Sequence, residues 1–371
     1  MRYLGPILAA LAATASATAP LGREKLYVLE VAPGEVIEVT EDEKFKMIDE
    51  GRHFFDITEF QDVQVSSAKL FAAAAFPAAL QHKCAVQKII KNIDVDKIKD
   101  QLTTYSSFHN RYFNSQYGVD AAEWLYERVK EVIKESGNPL ATSRLVRHTA
   151  WSQPSVIVSI PGITRGKTVV LGSHLDSVIS GDRGAGRAPG ADDNGSGSMM
   201  NLAVLRAILT DPRIAEGDHL NTLEWHWYSG EESGLLGSQD IFNQYATLNM
   251  QVVAMLNQDM VGYKGRDGIE RFGLVTDNTD ASQNEFLKLV IGGYTDISYE
   301  ETLCGYACSD HASANRNGYP SSFIFETPFG NHNPYIHTPN DTLEYVDFGH
   351  VFQHAKMASG FVYELAHHEF I

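Results

Sequence analysis

Long apolar runs, cysteine and basic clusters are all scarce in this sequence, and each shortage removes a class of function. Beyond the first 20 residues no stretch approaches the roughly 18–20 continuous apolar residues that a membrane span needs, so the chain after that point is expected to stay out of the bilayer. Lysine and arginine total 30 against 47 aspartates and glutamates, a formal net charge of −17. No cluster of them offers the basic footprint that nucleic acid or an anionic membrane surface requires, and solubility is the plain reading of the charge. Of three cysteines, Cys304 and Cys308 lie four apart and form the natural local pair, while Cys84 stands alone. Zinc held by that pair would need further ligands, and His311 is close, but an oxidising compartment favours the small disulfide loop. There is no internal repeat and no long low-complexity linker.

What the chain does have begins with its N-terminus. Arg2 precedes the apolar stretch Leu4 to Ala13, followed by Ala-x-Ala sites at Ala15-Ser16-Ala17 and Ala17-Thr18-Ala19, which reads as a cleaved signal peptide over residues 1–19. Thr14, Ser16 and Thr18 interrupt the run too early for a membrane anchor. Residues 20–75 carry six basic and twelve acidic side chains, and an alanine-rich stretch from Ala72 to Ala79 follows. We read 20–80 as a propeptide, ending somewhere between residues 72 and 85, that covers a site or assists folding; an ordinary structural extension has the same composition. Residues 81–371 form one domain, long enough for a single large core. Helical periodicity over Ala121–Glu135 alternates with strand-like Thr168–Gly172, Thr222–Tyr228 and Val252–Leu256. This pattern predicts an α/β fold, a mostly parallel mixed central sheet flanked by helices.

Five segments carry residue types that hold metals. His174-Leu175-Asp176 follows an apolar β-branched run, and on an extended strand the two outer side chains share a face. A carboxylate behind a ligating imidazole fixes its tautomer and raises its basicity, although an ordinary surface histidine shows the same pairing. Asp192 and Asp193 sit in a glycine-rich stretch ahead of helix-like Met199–Leu209, where acids are also favourable simply as N-terminal charge. Glu231 and Glu232 follow a strand; neighbouring side chains diverge, so one can ligate while the other works on water, or both can belong to a solvated turn. Asp259 follows Val252–Leu256, and His337 lies in Tyr335-Ile336-His337-Thr338. Together they place two histidines and three carboxylates where open α/β sheets build their sites, a nitrogen–oxygen set that suits two zinc ions better than calcium or magnesium.

In this order and spacing, His174-Leu175-Asp176-Ser177, Gly190-Ala191-Asp192-Asp193, Glu231-Glu232, Gln258-Asp259-Met260, Cys304-Gly305-Tyr306-Ala307-Cys308-Ser309-Asp310-His311 and Ile336-His337-Thr338 resemble the secreted bacterial leucyl aminopeptidases and their fungal leucine aminopeptidase relatives. The resemblance covers about residue 80 to the C-terminus. It implies a zinc-exopeptidase-like fold and an extracellular enzyme with two zinc ions, bridged by Asp193. His174 and Asp259 would complete one site, Glu232 and His337 the other, and the Asp192–Asp193 peptide would be cis. It implies Glu231 as general base, with Asp176 and Ser309 supporting the ligands. It further implies a pocket of Met260, Tyr306, Phe323, Phe325, Phe329 and Ile336 for a large apolar first residue of a peptide with a free N-terminus. The Cys304–Cys308 disulfide would shape the wall, with the Tyr306 hydroxyl near the oxyanion. His332 departs from the pattern, standing where the bacterial relatives have tyrosine. Carboxypeptidases and glutaminyl cyclases share such folds, but a carboxypeptidase needs a basic clamp that these pocket residues lack. A non-catalytic binding protein would have lost ligands or base, and all six are present. A monomer is expected.

Overall fold

The computed structural model describes residues 25–61 and 75–370; the signal-peptide segment lies outside them. Residues 25–61 form a small unit of β1 (Tyr27–Ala32), β2 (Glu35–Val39), α1 (Glu41–Asp49) and β3 (Phe55–Asp56). Its three strands pair antiparallel in the order β2-β1-β3. Thr40 starts α1 with a reciprocal cap: its hydroxyl accepts from the Glu43 amide and the Glu43 carboxylate accepts from its own.

The larger body opens with α2 (Lys83–Lys91), α3 (Val95–Tyr105), α4 (Gln116–Ser136), β4 (Thr142–Val146), β5 (Ser155–Ile160) and β6 (Thr164–His174). It continues through α5 (Gly197–Ile208), α6 (Pro212–Glu216), β7 (Asn221–Tyr228), α7 (Leu236–Thr247), β8 (Gln251–Gln258), β9 (Arg271–Val275) and α8 (Ala281–Tyr294). It closes with β10 (Ser298–Thr302), α9 (His311–Arg316), β11 (Ser321–Phe325) and α10 (Phe348–Ala366). Eight strands make one mixed sheet in the order β10-β9-β11-β8-β6-β7-β5-β4. β11, β8, β6 and β7 run parallel at its centre, as β10 and β9 do at one edge. The β9–β11, β5–β7 and β4–β5 pairs are antiparallel. β5 and β11 are buried at nearly every position, so neither shows the apolar–polar alternation that marks a half-exposed antiparallel strand.

One sheet face buries Trp225, Trp227, Val169 and Leu171 beneath α5 and α10 in the main core. The other packs Val170, Tyr228 and Met255 against Phe242 and Tyr245 of α7. The body starts before residue 81. Phe76 packs between Phe286 and Phe370, at centroid distances of 6.1 and 5.8 Å. The Gln81 and His82 amides both donate to the Glu364 carboxylate at 2.9 Å. Among the described residues no helix is long and apolar enough to cross a membrane.

Candidate dizinc site

The site lies at the carboxyl ends of the central parallel strands, where the chain leaves the sheet and its side chains can converge. β6 ends at His174, and the Leu175 amide donates to the Tyr228 carbonyl, holding the ends of β6 and β7 level. Beyond β7, Gly230 takes φ 69° and turns the chain into the short helical turn Glu231–Ser233, a conformation glycine adopts without a Cβ penalty. Asp259 follows β8 directly. His337 comes from the long loop after β11, at φ 54°.

Asp193 stands between the two histidines. Its Oδ1 lies 3.2 Å from His174 Nε2 and its Oδ2 lies 3.1 Å from His337 Nε2. Asp259 Oδ1 is 3.1 Å from the same nitrogen of His174, and Glu232 Oε2 is 2.8 Å from that of His337. Two clusters thus share one carboxylate, His174–Asp193–Asp259 and Asp193–Glu232–His337. A ring nitrogen carries at most one proton, yet each here faces two carboxylate oxygens, the arrangement of donors aimed at a common cation. Glu232 Oε1 is buried without a hydrogen-bond partner. Burial, reinforced by Asp193 and opposed by His337, pushes the Glu232 carboxyl up to about 7. Glu231 is held well above the usual carboxylate range, chiefly by burial, with His174 opposing and Asp259 and Glu232 adding repulsion. Two cations would relieve this concentration of like charge, and the imidazole–carboxylate donors suit zinc.

Asp176 joins the two halves. It faces His174 Nδ1 at 3.4 Å, and its oxygens accept from the Glu231 and Glu232 amides at 3.1 and 3.3 Å. Ser309 donates to Asp259 Oδ2 at 2.7 Å and accepts from Asn257. Asp341 accepts from the Asp192 and Asp193 amides at 3.0 Å each. Asp192 turns away from the histidines to Asn333, Ser196 and the Gly262 amide. The cis peptide lies one bond later than expected, at Asp193–Asn194. The two aspartate amides are pinned side by side on Asp341, and the chain changes direction at Asn194, whose buried side chain binds Gln258 and the Met260 amide.

A cavity of about 460 Å³ opens beside these groups. Met260, Phe323, Phe325, Phe329 and Ile336 line it, Phe325 and Phe329 being stacked at 4.3 Å, and His332 joins them at 5.6 Å from Phe325. Cys304 and Cys308 form the disulfide, and Cys308 reaches the wall. Tyr306 does not line the cavity. Its hydroxyl donates instead to Glu30 of the N-terminal unit and its ring packs edge-on against Phe55. The opposite wall is also that unit: Ile48, Asp49, Gly51, Arg52, His53 and Phe54. No motif announces these residues.

The family model described as Peptidase family M28 matches residues 155–362. Leucine aminopeptidase 1 of Trichophyton equinum is 44% identical over 375 residues, covering 97% of this chain and 99% of that protein. A probable leucine aminopeptidase of Arthroderma benhamiae is 46% identical, covering 91% of each. Among solved structures, the LapA aminopeptidase of Legionella pneumophila superposes with a TM-score of 0.81 at 28% identity over 90% of this chain and 91% of that one. Porphyromonas gingivalis glutaminyl cyclase, at 16% identity and a TM-score of 0.58 over 74% of this chain and 99% of that one, shares the fold alone. With the paired clusters joined through Asp193 and a match running from β5 into α10, the chain belongs to peptidase family M28.

Proposed function

We propose that His174 and Asp259 hold one zinc ion, Glu232 and His337 a second, and Asp193 both, with Glu231 as the general base that removes the first residue of a peptide. The observation that carries this reading is the placing of the two Asp193 oxygens, 3.2 and 3.1 Å from different histidines. The protein is an extracellular zinc metallo-aminopeptidase. Bound zinc supplies Lewis acidity, polarising the scissile carbonyl and making water a stronger acid. Glu231, half-buried at the cavity and beside other carboxylates, takes the proton from the attacking water and passes it to the departing amine. The free α-amine of the substrate faces the carboxylates of the same centre, which an internal peptide nitrogen cannot do. The first side chain fills the wall of Phe323, Phe325, Phe329, Met260 and Ile336, favouring leucine-like or aromatic residues. Among the lining residues Arg52 alone is a lysine or arginine, and it belongs to the N-terminal unit. The body therefore offers this cavity no clamp for a C-terminal carboxylate. The propeptide, residues 20–80 with its end between 72 and 85, acts as a removable cover, and the mature enzyme is a monomer.

The test is hydrolysis of a leucyl chromogenic amide, its N-acetyl derivative and zinc content on the same preparation. Glu231→Gln is expected to retain zinc and lose about 10²- to 10⁴-fold in rate, and the blocked amine should not react. A zinc-loaded wild type that releases no N-terminal residue would overturn the assignment.

A further inference from the structure

We propose that Tyr306 and Arg316 form a carboxylate-binding subsite for the downstream part of the peptide substrate, which the precursor fills with its own Glu30. This rests on the aminopeptidase reading and on departure of the N-terminal unit. The contact is built as a receptor for one carboxylate. Tyr306 Oη donates to Glu30 Oε1, and Arg316 Nη2 donates to Oε2 at 2.7 Å. The pair is largely withdrawn from solvent, with side-chain exposures of 21% for Arg316 and 14% for Glu30. The guanidinium also lies over the Phe55 ring at 4.7 Å, and that ring meets Tyr306 edge-on at 5.6 Å. Both partners of the acid are therefore fixed by the same aromatic contact.

When Glu30 and Phe55 leave, the body keeps a tyrosine hydroxyl and a guanidinium with nothing to bind. Glu30 is the one acid paired with Arg316 among the described residues, and Arg316 Nη1 is buried without a partner even in its presence. A charge-assisted bond to a carboxylate is among the stronger polar contacts available, and a tyrosine beside it adds direction. The subsite adjoins the zinc cavity without belonging to it. Tyr306 sits in the disulfide loop next to Ala307 and Cys308, which line the cavity, and Phe55 follows the lining residue Phe54. A peptide whose first residue fills the apolar pocket and whose chain extends past Ala307 brings a later residue to this point. The ligand is thus a carboxylate beyond the scissile bond, either an acidic side chain or the C-terminus of a short peptide.

The experiment expresses the full chain, collects the secreted enzyme and identifies its N-terminus by sequencing. It then compares kcat/KM within matched pairs. Leucyl peptide amides with Glu against Gln at the second, third or fourth residue test the side chain, and Leu-Gly-Gly against its amide tests the terminus. At one position at least, the acidic member should exceed its neutral partner by about tenfold. Arg316→Gln should bring that ratio close to one, Tyr306→Phe should lower it, and Arg316→Lys should restore part of it. A structural role for Arg316 would change both members alike and leave the ratio unmoved. Equal kcat/KM within every wild-type pair overturns the subsite while leaving the aminopeptidase intact. A secreted enzyme that still carries residues 25–61 overturns it too, because Glu30 keeps the place. Failure to release leucine even from neutral peptides sinks the aminopeptidase reading first and the subsite with it.

Discussion

Glu231 and Glu232 are neighbours in the chain and part in space because one carboxylate catches both of their amides. Asp176 accepts from the two of them and faces His174 Nδ1, so a single buried side chain sets the histidine ring and the turn bearing Glu231, the proposed base. Asp176→Asn keeps the shape and removes an acceptor and a charge. It is expected to cost about 10- to 100-fold in activity or zinc affinity, the usual range for a group that orients a metal ligand, read as separate zinc titration and kcat. A variant that binds zinc and turns over like wild type would show that Asp176 merely fills space. His174, Asp176, Glu231, Glu232 and Asp259 were legible in sequence because they lie at or just beyond the ends of apolar strands, whereas Asp193, in a glycine-rich turn, and His337, in a loop, were marked only by the family resemblance. Asp341 was not: it reaches the Asp192 and Asp193 backbone from 148 residues away, and no local pattern marks such a contact. Asn194-Gly195-Ser196 has the form of a glycosylation sequon, but Asn194 is fully buried, which closes it to a glycan. Tyr306 was placed by its disulfide loop, but a loop fixes where a ring starts and not which acid its hydroxyl meets.

The helices beneath the sheet hold the strand ends in place, and α10 packs beside α5 in the main core. Asp347 begins it, accepting from the His350 amide at 3.0 Å and pairing with Lys264 at 2.9 Å. Burial would raise its carboxyl, but Lys264 and the His350 amide outweigh that and hold it below the ordinary 3.8. A carboxyl lowered by folding stabilises the protein above its unfolded value, and the contribution is lost as pH falls through the folded one. Asp347→Ala is therefore expected to cost about 0.5–2 kcal/mol near neutral pH. Thermal melts of variant and wild type should draw together below about pH 4. A gap that stays constant down to pH 3 would assign the loss to something other than the charged cap. At this scale the sequence shows elements better than their directions. β6, β7 and β8 contain the expected strands and α4 the expected helix. The antiparallel pairing of β4, β5 and β9 depends on which connection returns to which edge, and strands as buried as β5 and β9 carry no trace of it.

The whole molecule is two units of unequal independence. Residues 25–61 are too few to sustain a core alone, and their own cluster amounts to Leu29, Val39, Met47 and Phe54 with partly buried neighbours. Two features compensate. One is docking: the Asp56 amide donates to the Gly234 carbonyl, Gln239 donates to the Asp56 carbonyl, and Asp49 pairs with Arg183 at 2.5 Å. The approach is so close that a Cβ on Gly234 would lie 2.8 Å from the Asp56 nitrogen. The other is the Lys44–Asp56 ion pair, whose side chains are 2% and 3% exposed. Removing one partner of a buried pair strands the other charge, at a cost of about 3–5 kcal/mol, more than so small a unit can absorb. Lys44→Met in the full chain should therefore loosen residues 25–61 while sparing the body, whose main core shares no residue with theirs; the one cluster that joins the two, Phe55 with Leu235, Ala307 and Ala312, is small. Because Arg52, His53 and Phe54 wall the zinc cavity, loosening them uncovers it. Before any processing, the variant precursor should hydrolyse a leucyl amide several-fold faster than the wild-type precursor, with an added early transition in its melt. Equal rates alongside that early transition would mean that the N-terminal unit comes away without having blocked the site, leaving it a role in folding rather than in inhibition.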